Sequence, residues 1–367
     1  MKVPIFDLKR QNIILEKDIN NVISEVIKKG IFTLGENVVA FENEFANYCK
    51  AKYCIGVASG TDAITLALQA LKLSKKDEVV IPANAYPTVF AAARSGVKVK
   101  LVDVSEDSNI DLNSLNGLSS KTKAIIAVHL YGVPVNVVRL KHIISKGIYI
   151  IEDSAQAHGA TFNNRVVGSF GDVGCYSFYP TKNLGAFGDG GLVITNNRKI
   201  AQRLKKLRVY GERRRYESDE VSGVSRLDEI QAAILRYKLR NLNKNNKIRE
   251  RIARIYIQNL SGVGDLDFVT KLSSKNITSS WHLFVIRTSY RSALRKFLEL
   301  NNIQTGIHYP KPVHLQKAFK HLGYKKGDFP VAEKLASEIL SIPLFPELRE
   351  NEIDYVIKTI KKFYRTL

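Results

Sequence analysis

Four short apolar segments, separated from one another by stretches of helical character, constrain the fold of this chain most strongly. They cover residues 79–82, 99–104, 124–129 and 148–152. Apolar strands that alternate with helices are typical of a mostly parallel sheet. The chain has 367 residues, of which 45% are hydrophobic, and this length allows a large core and about two domains. The sequence therefore predicts an α/β fold.

The sequence becomes polar and charged around residues 241–246. Domain boundaries usually lie in exposed polar segments. We therefore predict a large domain over residues 1–245, with a helical arm at its N-terminus, and a smaller C-terminal α/β domain over residues 246–367. The large domain is expected to contain the functional site.

Lys182 lies between an apolar segment and a glycine-rich turn, within residues 175–192. An isolated lysine is usually a surface charge, because lysine is rarely buried unless it is paired. In an apolar setting, however, desolvation lowers the pKa of the amine, which can then form a Schiff base with an aldehyde cofactor or a carbonyl substrate. Lys182 is therefore the candidate catalytic residue.

A second signal lies upstream, where residues 148–159 indicate a buried strand that ends on Asp153. In pyridoxal phosphate enzymes, an acid of this kind pairs with the protonated pyridine nitrogen of the cofactor. Gln156 could donate a hydrogen bond to the phenolic oxygen of the same ring. Taken alone, Asp153 would more often be a turn residue at the end of a strand.

A third signal is the segment 55–68, which runs from a short strand through Gly60 into an apolar-periodic helix. The free N–H groups and the dipole at such a helix start favour phosphate, and Thr61 can add a hydroxyl. Taken alone, a Ser-Gly-Thr-Asp start is more often only an N-cap. The ordered set of phosphate cup, strand-end acid and lysine before a glycine turn is much harder to obtain by chance.

These motifs also carry a resemblance that covers nearly the whole chain. The chain resembles the DegT/DnrJ/EryC1/StrS family of nucleotide-sugar aminotransferases, which use pyridoxal 5'-phosphate. The resemblance implies the aspartate aminotransferase fold (fold type I), with a large domain and a smaller C-terminal α/β domain. The matching segments are residues 3–9, 58–62, 81–88, 152–156, 175–192 and 225–233.

The resemblance assigns roles to individual residues. Lys182 would form the Schiff base, Asp153 would pair with the pyridine nitrogen, and Gln156 would contact the phenolic oxygen. Three further residues would bind the cofactor phosphate: Gly60, Thr61 and Ser177.

An aromatic contact is implied as well. Tyr86 lies where the family places an aromatic ring against the cofactor, and stacking provides a physical reason for that position. Ordinary core packing is the alternative interpretation of Tyr86.

One position departs from the family. Members commonly have an asparagine two residues before Arg226, and the partner subunit supplies this residue to the cofactor phosphate. Here the position is Val224. Valine cannot donate a hydrogen bond, so Ser225 substitutes, a water does, or the phosphate has one contact fewer.

The resemblance also implies a reaction. Members with histidine in place of the lysine are sugar dehydratases, so Lys182 favours transamination, with L-glutamate as the amino donor and a homodimer with shared active sites. Residues 179–191, 281–287 and 307–316 are similar to enzymes that make dTDP-3-amino-3,6-dideoxyhexoses of the Fuc3N or Qui3N type.

Three residues within the segment 307–316 are candidates for substrate binding. The rings and polar tips of His308 and Tyr309 suit a sugar hydroxyl or a diphosphate, and His314 is the third candidate. The alternative is a proline-rich structural loop whose rings pack on the domain surface.

The net charge of +21 could provide a basic field that steers a sugar nucleotide, but solvated helix faces are the favoured explanation for most of the basic residues. An alternative substrate is a UDP-linked 3-keto sugar acid. An alternative function is a non-catalytic regulator that binds pyridoxal phosphate and associates with nucleic acid. The sequence contains no basic helix-turn-helix module, and no nucleic-acid partner is expected.

Two further features bear on location and metals. Residues 1–30 contain no signal-peptide core, and no apolar run reaches the roughly 20 residues that span a bilayer. The three cysteines, Cys49, Cys54 and Cys175, have no paired metal spacing. We therefore expect a cytoplasmic protein that binds neither membranes nor metal.

Overall fold

The computed structural model describes residues 1–270 and 276–367. Its α-helices are α1 (Leu8–Lys29), α2 (Glu36–Cys49), α3 (Gly60–Ala70), α4 (Tyr86–Arg94), α5 (Val137–Ile143), α6 (Arg198–Leu207), α7 (Glu229–Leu239), α8 (Leu242–Leu260), α9 (Arg291–Leu300), α10 (Pro330–Glu338) and α11 (Glu350–Arg365). Its strands are β1 (Tyr53–Val57), β2 (Glu78–Pro82), β3 (Lys98–Val102), β4 (Thr122–Val128), β5 (Tyr149–Asp153), β6 (Thr161–Phe162), β7 (Arg165–Val166), β8 (Val173–Ser177), β9 (Gly191–Thr195), β10 (Glu212–Arg214), β11 (Glu217–Ser218), β12 (Asp267–Phe268), β13 (Ile277–Thr278), β14 (Phe284–Arg287) and β15 (Ile339–Ile342).

Seven strands form the central sheet in the order β1-β9-β8-β5-β4-β2-β3. Strand β9 pairs antiparallel with both of its neighbours, and the other pairs in the sheet are parallel. The four strands that the apolar segments predicted are β2, β3, β4 and β5. The prediction of an α/β fold with a mostly parallel sheet is confirmed.

Both faces of the central part of this sheet are buried, which explains why its inner strands are largely apolar. Val79 and Ile81 pack into one core, while Val80, between them, packs into another on the opposite face. In β4, Ile125 and Ile126 divide between the two cores in the same way. Parallel sheets require this cover on both faces, so their strands lack the polar alternation of a half-exposed sheet.

A second, smaller unit contains the antiparallel sheet β12-β14-β15, against which α8, α9 and α11 pack. Its core includes Tyr256, Phe284 and Val356. Val3 also belongs to this core and pairs with Ile303, so the first residues of the chain join the C-terminal unit. The proposed boundary between residues 245 and 246 falls inside α8, and its position stays a prediction.

Within the described ranges, no helix combines the length and the apolar content that crossing a membrane requires. In the same residues, no group of three or more histidine, cysteine or acidic side chains is arranged to hold a metal ion. Cys49, Cys54 and Cys175 are buried and unbridged.

A buried carboxylate joins two helices of the large domain. Glu229, at the start of α7, accepts hydrogen bonds from the backbone N–H groups of Asn37 and Val38, each at 2.9 Å. These N–H groups belong to the first turn of α2, where they have no partner within the helix. Glu229 therefore caps α2 from a position 192 residues away in sequence.

Replacing Glu229→Gln should destabilise the protein by about 2 kcal/mol, because the amide turns a donor toward a buried N–H group. The free energy of unfolding, measured with urea, tests this expectation. The matched control is Glu25→Gln, whose carboxylate lies on the surface beside Lys28 and should leave the urea midpoint unchanged. Equal midpoints for the two variants would contradict the capping role.

Candidate functional site

A cavity of about 300 Å³ opens at the carboxyl edge of the parallel strands. Asp153 and Ser177, the last residues of β5 and β8, lie in its wall. Gly60, the first residue of α3, lies opposite them. Ligands of open parallel sheets bind at this edge because loops and helix N-termini converge there. The cavity is therefore the candidate functional site.

Lys182 is half-buried in the wall of this cavity. Its position is set by the loop after β8, in which its backbone N–H donates to the carbonyl of Tyr179 at 2.8 Å. Burial lowers the pKa of Lys182 to about 8, although the charge of Asp153 acts in the opposite direction. Near physiological pH the neutral amine, which is the nucleophilic form, is therefore a minority of the lysine but a much larger share than for an ordinary surface lysine.

The carboxylate of Asp153 is buried and held by two donors. The hydroxyl of Thr88 donates to Oδ2 at 2.6 Å, and the backbone N–H of Ala155 donates to Oδ1 at 3.1 Å. These contacts set the orientation of the carboxylate, and its remaining acceptor capacity is available to a group in the cavity.

The amide of Gln156 has a defined orientation. Its Oε1 accepts the backbone N–H of Tyr131 at 2.7 Å, so its Nε2 must be the atom directed away from that backbone. Nε2 lies 3.4 Å from the hydroxyl of Tyr309, at the cavity wall. Gln156 therefore offers a hydrogen-bond donor to the cavity.

The start of α3 forms a cup beside β8. The hydroxyl of Ser59 caps the helix by accepting the N–H of Asp62 at 3.1 Å. At position 60 a Cβ atom would lie only 2.5 Å from the Cβ of Ser177. Glycine is therefore required for this close approach, which places Gly60, Thr61 and Ser177 together at the positive end of the helix dipole.

The sequence interpretation missed a buried pair formed by His129, in the cavity wall, and Glu152. The N–H of Val135 donates to Nδ1 of His129 at 2.9 Å, so Nε2 carries the proton and donates to Glu152 at 3.0 Å. Burial raises the pKa of Glu152, but bonds from His129 and from backbone N–H groups outweigh it and lower this pKa below its ordinary value. In the sequence, the only signal for this pair was the presence of two adjacent acids, Glu152 and Asp153, at the end of a predicted strand.

Two tyrosines lie near the mouth of the cavity. Tyr309 lines it, and burial raises the pKa of its hydroxyl to about 12. The ring of Tyr86 packs 5.6 Å from that of Tyr309 and lies outside the cavity lining. Contact between Tyr86 and a cofactor ring stays a prediction. Tyr179 also lines the cavity and was not predicted from the sequence.

The two candidate histidines lie in different places. His308 lies next to Tyr309, its Nδ1 is 2.9 Å from the hydroxyl of Ser341, and burial lowers its pKa to about 4. His314 is buried outside the cavity, where its Nε2 pairs with Glu333 at 2.9 Å. The structure does not bring His314 to the site, because its loop turns the ring toward α10.

Ser225, considered as a substitute for the missing asparagine, is already engaged. Its hydroxyl donates to the carboxylate of Asp62 at 2.9 Å and accepts the N–H of Ala58 at 3.1 Å. Val224 lies beside it and is exposed. Within its own subunit, Ser225 therefore supports the phosphate cup from outside the cavity lining.

The comparison with protein families decides the assignment. The model of the DegT/DnrJ/EryC1/StrS aminotransferase family matches residues 13–361. The chain belongs to this family. The predictions of family, of the aminotransferase fold, of enzyme class and of pyridoxal phosphate as the cofactor are thereby confirmed.

Individual relatives of this aminotransferase cover its whole length. The chain is 41% identical to a pleiotropic regulatory protein of Geobacillus stearothermophilus, over 100% of the chain and 99% of the relative. It is 40% identical to a dTDP-3-amino-3,6-dideoxy-alpha-D-galactopyranose transaminase of Aneurinibacillus thermoaerophilus, over 98% of the chain and 99% of the relative. The crystal structure of S. venezuelae DesV with a ketimine intermediate aligns with a TM-score of 0.96 at 37% identity, covering 100% of this chain and 99% of that one.

The residues of the cavity fit pyridoxal phosphate. A half-buried amine of lowered pKa, a buried carboxylate and an amide donor surround one space, and the tight Gly60–Ser177 approach forms an anion cup at the helix start. Each group matches one polar feature of the cofactor: its aldehyde, pyridine nitrogen, phenolic oxygen and phosphate.

In the cofactor-free protein, acylation of Lys182 should rise with a midpoint near pH 8. Asp153→Asn should move this midpoint to lower pH, because the Asp153 charge raises the lysine pKa. Mass spectrometry of the labelled peptide measures both values. Asp219→Asn, a surface variant in the pair with Lys206, should leave the midpoint in place. An upward shift in Asp153→Asn would contradict the assignment.

Proposed function

We propose that this aminotransferase converts a dTDP-3-keto-6-deoxyhexose into the dTDP-3-amino-3,6-dideoxyhexose, with L-glutamate as the amino donor. The observation that carries the proposal is the amine of Lys182 in the same cavity as Asp153 and Gln156. The relative from Aneurinibacillus thermoaerophilus, whose name is that of a dTDP-3-amino-3,6-dideoxyhexose transaminase, supports the sugar class.

Each residue then has a chemical task. Lys182 would hold the aldehyde carbon of the cofactor through Nζ, and its amine would hold and return a proton at the same atom. Asp153 keeps the pyridine nitrogen protonated. The Nε2 group of Gln156 donates to the phenolic oxygen. Pyridoxal phosphate supplies, when bound, a ring that withdraws electrons from the amine-bearing carbon.

The phosphate cup has a separate task. Gly60, Thr61 and Ser177 hold the cofactor phosphate against the start of α3 through backbone N–H groups and hydroxyls. Because Gly60 approaches Ser177 so closely, a side chain at position 60 would displace the hydroxyl that faces the anion. The cup would thereby fix the position of the cofactor ring relative to Lys182.

The charge of the cavity favours a neutral sugar. Among the described residues that line it, Lys182 is the only lysine or arginine. A sugar acid would place a carboxylate where this chain offers it no second cation, whereas a 6-deoxyhexose carries no such charge. His308 and Tyr309, beside the cavity mouth, are the proposed contacts to the sugar nucleotide.

The small number of cationic side chains in the cavity also supports an active site that two subunits share. A nucleoside diphosphate and glutamate both carry negative charge, and the hairpin β10–β11 presents arginines at residues 213–215 that are exposed in this chain. Tyr216 and Val221, in and after the hairpin, are 83% and 102% exposed. We propose a homodimer in which this hairpin of one subunit faces the cavity of the other.

A UDP-linked 3-keto sugar acid is the second candidate substrate, and relatives at lower identity carry the names of UDP-sugar aminotransferases. The regulator hypothesis has one supporting observation beyond the charge of +21, which is the name of the Geobacillus stearothermophilus relative. DNA binding that weakens with salt, in a protein without transaminase activity, would favour it.

The reverse half-reaction tests the proposed function. Mixing the cofactor-loaded protein with a dTDP-3-amino-3,6-dideoxyhexose should convert the absorbance of the pyridoxal form into that of the pyridoxamine form. Lys182→Ala should slow this conversion by about 10³-fold or more, while Lys28→Ala, on the surface, should not change it. Conversion by a UDP-linked amino sugar acid alone would overturn the sugar assignment, and rapid conversion by Lys182→Ala would overturn the role of the lysine.

Val224→Asn tests the shared phosphate site. If the partner subunit presents this position to the cofactor, the added amide should tighten cofactor binding about fivefold, the value of one net hydrogen bond of about 1 kcal/mol. Titration of the cofactor-free protein with pyridoxal phosphate measures the dissociation constant. Val224→Leu, which adds no donor, is the control. Equal constants for both variants would mean that residue 224 does not reach the phosphate.

A further inference from the structure

The residue after Lys182 is held by three hydrogen bonds. Nδ2 of Asn183 donates to the carbonyl of Ser280 at 2.7 Å and to Oδ1 of Asn246 at 2.9 Å. Oδ1 of Asn183 lies 3.1 Å from Nδ1 of His282. Both donors and the acceptor of this amide are therefore engaged, and its partners lie in α8 and in the segment before β14.

The network permits one protonation pattern. A backbone carbonyl can only accept, so the amide nitrogen of Asn183 must face Ser280 and its oxygen must face His282. Asn246 is oriented by the same rule, because its Nδ2 donates to the carbonyl of His158 at 2.8 Å. Nδ1 of His282 therefore carries a proton and donates to Asn183.

Residues 279–282, here called the 279–282 strap, also reach the second proposed cofactor contact. The hydroxyl of Ser280 donates to the backbone carbonyl of Gln156 at 3.0 Å. The N–H of His282 donates to the carbonyl of Tyr131 at 3.0 Å, and Tyr131 in turn orients the Gln156 amide. The strap thus connects the chain beside Lys182 with the chain that carries Gln156.

His282 is suited to remain a neutral donor. It is buried, and burial followed by the charge of Lys182 lowers its pKa well below the ordinary value. The same two causes lower the pKa values of His158 to about 3 and of His308 to about 4. Among the titratable groups near Lys182, Asp153 carries the charge that acts on the lysine pKa, and the three imidazoles are neutral.

We propose that His282, acting through Asn183, is a positioning residue for Lys182, and that its Nδ1–H donor holds the lysine-bearing loop at the cavity. The proposal rests on the proposed role of Lys182 and extends it to a residue of the small domain. Without the donor, the amide of Asn183 loses its acceptor contact, the loop loosens, and more water reaches Lys182 than its half-buried position now admits.

The first test uses the cofactor-free, full-length protein, so it does not depend on transamination. The variants are His282→Asn, whose amide nitrogen takes nearly the place of Nδ1, and His282→Leu, which has no donor. The pH midpoint for acylation of Lys182 should rise by about one unit in His282→Leu, because admitted water reduces the desolvation that lowers the lysine pKa. In His282→Asn the midpoint should stay at the wild-type value. Equal midpoints in all three proteins would overturn the proposal.

The second test uses the cofactor-loaded enzyme. His282→Leu should lower kcat by about tenfold to a hundredfold, the effect of misplacing a reacting group by about an ångström. The KM for the sugar nucleotide and the dissociation constant of pyridoxal phosphate should stay within threefold, since neither His282 nor Asn183 lines the cavity. His282→Asn should restore kcat. Parallel losses of kcat in both variants, together with equal falls in Tm, would show a merely structural role.

Asn183→Ala provides an independent route to the same answer. This variant removes the side chain through which His282 acts on Lys182, so it should reproduce the raised pH midpoint for acylation that is expected of His282→Leu. It also tests the proposal if His282→Leu does not fold. The double variant should lose no more activity than the worse single variant, because both act through one contact. Fully additive losses would overturn the coupling. If the pH midpoints for acylation of Lys182 rise in His282→Leu and Asn183→Ala but the wild-type protein has no transaminase activity, the positioning role of the 279–282 strap is supported and the proposed function is refuted independently.

Discussion

Parallel pairing aligns the carboxyl ends of β4, β5 and β8, so that Val128, Asp153 and Cys175 lie side by side. The site depends on this register, because a shift of one residue turns every side chain of a strand to the opposite face. Such a shift would exchange Glu152 and Asp153. Glu152 would then leave the buried N–H groups after β7 that it now satisfies, and Asp153 would leave the cavity.

Charge is distributed unevenly between the cavity and the surface of the protein. The cavity contains one lysine, the acids Asp153 and Asp189, and no arginine among the described residues that line it. Neighbouring imidazoles stay neutral because burial and the lysine charge both oppose their protonation. The excess of basic residues lies elsewhere, on helix faces and the β10–β11 hairpin. A weakly charged reaction centre and a basic surface serve different steps, since only the surface can steer an anionic substrate over distance.

Local signals predicted much of the site. The residues named from local signals and lying in the cavity wall are Gly60, Thr61, Asp153, Gln156, Lys182 and Tyr309. Ser177, which also lies there, was named from the family resemblance. Thr88 and His129 also lie there and were not predicted, because each acts through a partner far along the chain. The Thr88–Asp153 bond spans 65 positions. His314 was placed at the site by its neighbourhood in sequence, but packing turns it toward Glu333.

The sequence by itself determined strands β2 to β5 of the central sheet, the acid at the end of β5, the glycine that starts α3 and the lysine before a glycine turn. These depend on periodicity and turn chemistry, which act over a few residues. Only the tertiary structure decided which groups meet: Asn183 with His282, 99 positions away, and the hydroxyl of Ser225 with Asp62. The physical reason is that amide orientation, tautomer and lysine pKa are set by carbonyls, charges and desolvation from segments that only packing brings together.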